Sequence, residues 1–160
     1  MDGEETPLRA LSASLACQRL FHEALGFELE HADELGHLHQ FMVDAYGAQH
    51  PLPPTPTIRV YYSLVGLHLA IDQGWTGLKV RDAHQRMGKP AGWWPVVHAP
   101  KDRGVVTIAQ VAAAGMAASS PAGHKQLVTE WGRSVWAAWK AEHAAIRDLT
   151  RALVKEMASR

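Results

Sequence analysis

Four helix starts punctuate the chain and leave little room for anything but helices. Thr6-Pro7, Thr55-Pro56 and Ser120-Pro121 each set a capping hydroxyl before a proline at the first helical position, where the missing N–H costs nothing. Thr107 and Gln110 have capping-box spacing ahead of Val111 and an alanine run. From these anchors the pattern predicts helices over about 7–30, 32–50, 56–74, 107–117 and 121–158. Pro51, Pro53 and Pro54 end the second. Glycines and prolines at 74, 77, 88, 90, 92, 95 and 100 leave space for only one short helix, near Leu78 to Met87. No run alternates with period two and no internal repeat occurs. The expected fold is all-α, a four- or five-helix up-down bundle with an irregular flap over about 75–106.

Size and charge narrow the function classes. A chain of 160 residues, 47 % apolar and 20 % charged, is read as one domain, 1–160, able to bury a real core. The 16 basic and 16 acidic residues cancel and no Lys/Arg run stands out, which argues against nucleic acid or an anionic membrane surface as partner. No secretory start is seen, and no apolar run approaches the roughly 20 residues needed to span a bilayer, so a cytoplasmic protein is expected. Cys17 is the single cysteine. That excludes an internal disulfide, a CxxC pair, a zinc ribbon and the CxxCH attachment of c-type haem.

Placing residues at 100° per position puts a histidine on or beside the apolar face of each main helix. His22 centres the stripe Leu8, Leu11, Leu15, Gln18, Leu25 and Leu29. His39 lies in the stripe Leu35, Met42, Val43, Tyr46 and His50, from which Phe41 departs. His68 flanks Ile58, Tyr61, Tyr62, Val65 and Leu69, with Asp72 one turn on. The last helix carries Val128, Val135, Trp136, Trp139, His143, Ile146, Thr150, Leu153 and Met157, with Arg147 a turn beyond His143. With a rise of about 1.5 Å per residue and antiparallel neighbours, His22, His39 and His68 fall at one level; His143 joins them only through its place near the helix middle. His39 and His50 are roughly 16 Å apart along one helix and cannot share an ion. His50 is expected to cap the final carbonyls before Pro51, with Tyr46 a turn away.

The strings LACQRLFHEALGFELE, HQFMVDAYGAQHP and GRSVWAAWKAEHAAIRDL resemble, in order and spacing, the bacterial domain-of-unknown-function family 5946. The resemblance covers most of the chain and falls on Cys17, Phe21, His22, Glu23, His39, Val43, Tyr46, Gln49, His50, Pro51, Trp136, Trp139 and His143. Members often carry a second histidine after the position of His39 and a cysteine-rich N-terminus. This chain has Gln40 and only Cys17, so no N-terminal zinc knuckle is implied. The layout is also similar, more loosely, to DinB-type bundles, in which histidines from separate helices hold one divalent metal. Their paired histidines on the last helix are absent here, since Arg147 follows His143 at i+4. Glu142 beside His143 does not have the Glu-x-x-His spacing of ferritin-like di-iron sites.

Two functions compete. In the first, His22, His39, His68, His143 and Asp72 hold a divalent transition metal (Zn, Fe, Ni or Cu, with haem as the alternative cofactor). Tyr46, Glu142 and Arg147 then contact a small-molecule substrate in a hydrolytic, transfer or oxidative reaction. In the second, each histidine is satisfied by a carbonyl, Gln18 or a tyrosine, and the chain is a non-enzymatic ligand-binding or interaction module. His31, His84, His98 and His124 are expected in linkers or turns, exposed to solvent. Trp93-Trp94-Pro95 is expected to pin the flap to the core, Cys17 to act as a small hydrophobe, and Trp131, Trp136 and Trp139 to fill the core or a homodimer contact.

Overall fold

The computed structural model describes residues 15–51, 58–87, 99–118 and 120–159. Helices are the only regular elements among them: α1 (Leu15–Glu30), α2 (Ala32–Leu35), α3 (His39–Gln49), α4 (Ile58–Ile71), α5 (Gly77–Met87), α6 (Ile108–Ala118), α7 (Pro121–Ala138) and α8 (His143–Ala158). Short 3₁₀ turns, Gly36–Leu38 and Lys140–Glu142, join α2 to α3 and α7 to α8. The caps at Thr6-Pro7 and Thr55-Pro56, the Leu8 and Leu11 positions, Trp93-Trp94-Pro95 and His98 lie outside the described residues.

Local chemistry explains where the later helices begin. Ser120 Oγ accepts the Gly123 N–H at 3.3 Å, with Pro121 in the first turn. At α6 the capping box closes in both directions: Gln110 Oε1 accepts the Thr107 N–H at 2.8 Å, and Thr107 Oγ1 accepts the Gln110 N–H at 3.4 Å. The expected single helix over 121–158 is instead two, broken at Trp139. There His143 donates from Nε2 to the Trp136 carbonyl at 2.8 Å, the acceptor that a continuous helix would offer to the Lys140 N–H. The helix expected over 32–50 likewise tightens into 3₁₀ geometry at Gly36–Leu38 before α3 starts.

The core forms around α3, which packs along α4 and also meets α7, α5 and α1. Burial runs round α3: Met42, Asp44, Ala45, Tyr46, Gly47, Ala48 and Gln49 are all buried. Two bare backbones allow that closeness. The Phe41 ring lies over Gly132 of α7 and the Asp44 carboxyl over Gly66 of α4, so a Cβ at either glycine would overlap its neighbour. Trp131 and Trp139 are buried against α3 and answer its polar groups. Trp131 Nε1 donates to Gln49 Oε1 at 2.8 Å, and Trp139 Nε1 to the Ala48 carbonyl at 3.0 Å. Gln49 Nε2 in turn donates to the Val106 and Arg103 carbonyls at 2.8 and 3.3 Å, holding the 99–107 segment against the end of α3.

The first helix turns a different face inward from the one expected. Its buried residues are Ala24 and Glu28, with Cys17, Leu20, Phe21 and Leu25 packed against the core. Leu15 and Leu29 are 49 % and 68 % exposed, and His22 is exposed. Phe21 stacking on Tyr46, with ring centroids 4.1 Å apart, and the pairing of Glu28 with His39 outweigh the leucine stripe.

The indole N–H of Trp131 satisfies a buried amide oxygen. Trp131→Phe keeps most of the ring but strands Gln49 Oε1, and urea denaturation is expected to show a loss of about 2–4 kcal/mol. A loss below about 0.5 kcal/mol, the range of neutral surface changes, would contradict the clamp.

Candidate functional site

Of the four histidines expected to share one layer, His68 and His143 both lie against the Trp136 ring, while His22 and His39 are more exposed. His22 is on the surface of α1. His39, its side chain 53 % exposed, donates from Nδ1 to Glu28 Oε1 at 2.9 Å. His68, buried on α4, donates from Nδ1 to Asp72 Oδ2 at 2.9 Å. The His143 ring stacks on Trp136, centroids 3.8 Å apart and planes 14° from parallel. Among the described residues no three His, Cys, Asp or Glu side chains come together as a metal-binding set. His39, His68 and His143 each give one ring nitrogen to a protein acceptor.

What the structure does bring together is a hub on Asp72. Its Oδ2 accepts from His68 and from Arg147, whose Nε and Nη2 lie at 3.3 and 3.0 Å; its Oδ1 accepts from Trp136 Nε1 at 3.2 Å. Burial pushes the carboxyl up, but hydrogen bonds from His68, Arg147 and Trp136 outweigh it and hold Asp72 below the ordinary carboxylate value. The expected pairing of His68 with Asp72 is therefore present, with Arg147 added to it. With its lone pairs committed, Asp72 ties α4 to α7 and α8.

The remaining expected contacts also lie apart. Tyr46 is buried between Phe21 and His50, whose centroids are 4.1 and 4.3 Å from its own, with the Arg59 guanidinium 5.4 Å from the ring centre. Its hydroxyl has no hydrogen-bond partner among the described residues, and burial raises its pKa against the pull of Arg59. His50 donates from Nδ1 to the Tyr46 carbonyl at 3.0 Å, the capping role its position suggests. Glu142 is half-buried in the 3₁₀ turn before α8. His31, half-buried, bonds the Phe27 carbonyl at 2.9 Å.

Two histidines expected in solvent are inside. His124, near the start of α7, is fully buried beside Phe27, and neither ring nitrogen has a hydrogen-bond partner among the described residues. His84 lies on α5, where burial outweighs a hydrogen bond to the Tyr62 backbone and takes its pKa down to about 4. Capping and turn signals place helices well, but they carry no information on which side of α5 or α7 meets another helix.

The residue that sequence periodicity missed is Asp44. A cavity of about 380 Å³ opens between the turn before α3, the α4–α5 connection and α7. Leu38, Phe41, Ile71, Trp75 and Val80 are among its apolar walls, Thr129 and Arg133 line the α7 side, and Asp44 lines the α3 side. Asp44 is 3 % exposed. Gln40 Nε2 donates to its Oδ1 at 3.1 Å, while Oδ2, lying over Gly66, has no hydrogen-bond partner among the described residues. Burial raises the Asp44 pKa well above the ordinary value, against the smaller effect of Gln40. A raised folded pKa favours the fold below the unfolded value near 3.8, and that contribution is lost as pH rises through the folded value. The acid is kept at a net cost in stability when ionised.

The buried histidines have the opposite sign. Burial lowers the pKa of His124, with His31 adding to the effect, and lowers those of His84 and His50. Their contribution is complete above the unfolded value of 6.5 and is lost as pH falls through it, because the unfolded chain takes up the protons first. Asp44 and Glu28, both raised, work against this trend, so the comparison that isolates it is between variants. His124→Leu is expected to lose less melting temperature than the parent between pH 7.5 and pH 5. Equal losses in the two proteins would contradict the assignment.

Comparison with known proteins adds a family and no activity. No curated protein and no solved structure matches the chain. A model of a family of unknown function matches residues 4–140, a span that contains the LACQRLFHEALGFELE and HQFMVDAYGAQHP strings, Asp44 and every lining residue named for the cavity. The match extends over most of the sequence: the chain belongs to the family of unknown function DUF5946.

Proposed function

We propose that this protein binds a small organic ligand in the cavity between α3, the α4–α5 connection and α7. The observation that carries the reading is the lining itself: apolar and aromatic walls with a buried carboxyl, Asp44, and a guanidinium, Arg133, among them. A volume of about 380 Å³ lies within the range of roughly 300–1,000 Å³ typical of small-molecule pockets. Burying an acid with one oxygen unpartnered costs free energy that a purely structural core avoids by using an apolar residue. Asp44 is a candidate for retention through function on that ground.

The metal-dependent enzyme has weaker support. Among the described residues no three His, Cys, Asp or Glu side chains converge, and the Asp72 oxygens are taken by His68, Trp136 and Arg147. The present arrangement suits the second expectation, a non-enzymatic ligand-binding or interaction module whose histidines are satisfied within the protein.

A fragment screen by two-dimensional ¹H–¹⁵N NMR tests the reading. Small aromatic and branched aliphatic compounds at millimolar concentration are expected to shift the amides of Phe41, Trp75, Val80 and Thr129 together. Shifts confined to other surfaces, or none with any fragment in the folded protein, would overturn it.

A further inference from the structure

We infer that the ligand of this cavity is a small carboxylate with an apolar body, its acid end held by Arg133. The inference rests on the cavity being the binding site and names what enters it. Three features of the wall carry it.

The first is the charge left open. Arg133 lines the cavity from α7, is exposed, and has no carboxylate partner among the described residues. The arginines at 86, 147 and 151 are each paired with an aspartate, and of the unpaired ones Arg133 is the one in the cavity lining. A planar guanidinium with its donors uncommitted is the side chain best matched to a carboxylate, which it takes with two parallel hydrogen bonds. The second is the apolar surface. Phe41 and Trp75 supply aromatic walls, and Ile71 and Val80 aliphatic ones, so a ligand of this size is held mainly by its hydrocarbon.

The third is the state of Asp44, which distinguishes an anionic ligand from a cationic one. A lone ionised carboxylate in a closed apolar wall would repel an incoming anion and attract an amine. Among the described residues no ion pair reaches Asp44: Gln40, a neutral amide, is its hydrogen-bond partner, and Oδ2 faces the bare backbone of Gly66. Lys79, on α5, sits 4.1 Å over the Trp75 ring. Burial then favours the neutral acid, which leaves Arg133 as the charge that decides the sign of the ligand.

The test is a matched series on the intact protein: 3-phenylpropanoate, 3-phenylpropanamide and 3-phenylpropylamine, titrated by NMR at neutral pH and low ionic strength. The carboxylate is expected to bind at least about tenfold more tightly than the amide, the difference expected of one charge-assisted contact of about 1.4 kcal/mol. Arg133→Gln should remove that advantage while leaving the weak amide affinity in place, and Arg133→Lys should restore part of it. Because Arg133 is exposed, both variants are expected to melt close to the parent. Equal binding of all three probes at the cavity, or preference for the amine, would overturn the carboxylate inference and leave the pocket standing. Failure of all three to shift any cavity residue would overturn both.

Discussion

Burial of α3 on nearly every side is the constraint from which most of this structure follows. A helix that faces α1, α4, α5 and α7 at once has, from Asp44 to Gln49, no solvent side on which to place its polar groups. Each must therefore be answered by another element or left unanswered. Gln49 is fully engaged, receiving the Trp131 indole N–H and giving its own N–H groups to the 99–107 backbone. The Ala48 carbonyl takes the Trp139 indole, and the Tyr46 carbonyl takes the His50 ring. Asp44 is answered on one oxygen only, and that is the side of α3 where the cavity opens.

The same economy explains the histidines. Imidazoles on apolar faces are costly unless hydrogen-bonded, and here most of them close local defects in the helices. His143 takes the Trp136 carbonyl at the break between α7 and α8, and His68 joins Asp72 at the end of α4. Arg147 reaches the same carboxylate from α8; with its side chain 52 % exposed, this pair contributes modestly as an ion pair and more as an orienting contact. The Asp72 hub and the Trp136 stack thus fix how α4, α7 and α8 meet. They leave the cavity on the other side of α4's last turn, where the α4–α5 connection bends away.

The sequence was most readable where backbone chemistry is local. The Thr107–Gln110 box, the Ser120-Pro121 start, and the short helix ending at Met87 depend on a few adjacent residues, and they stand where capping and turn rules put them. Periodicity was less reliable because it assumes a single buried face. On α3 Phe41 and Asp44, three residues apart, form a second inward face, and the departure of Phe41 from the main stripe was its one visible trace. On α1 the small Ala24 and the stacking ring of Phe21 decide the rotation, and a count of leucines does not weigh either. The break at Trp139 depends on a side chain four residues later seizing a carbonyl, a competition that helix propensity does not register.

Asp44 joins these threads. Its place on the buried stretch of α3, the bare backbone of Gly66 beside it and the single neutral partner Gln40 together describe an acid kept uncharged in the wall of a cavity. The most direct test is a titration of the Asp44 side-chain carboxyl by ¹³C NMR in the folded protein, repeated in urea. The account predicts a midpoint well above the ordinary aspartate value near 3.8 in the native state and a return to that value on unfolding. A native midpoint at or below 3.8 would show an ionised, stabilised carboxylate and contradict it.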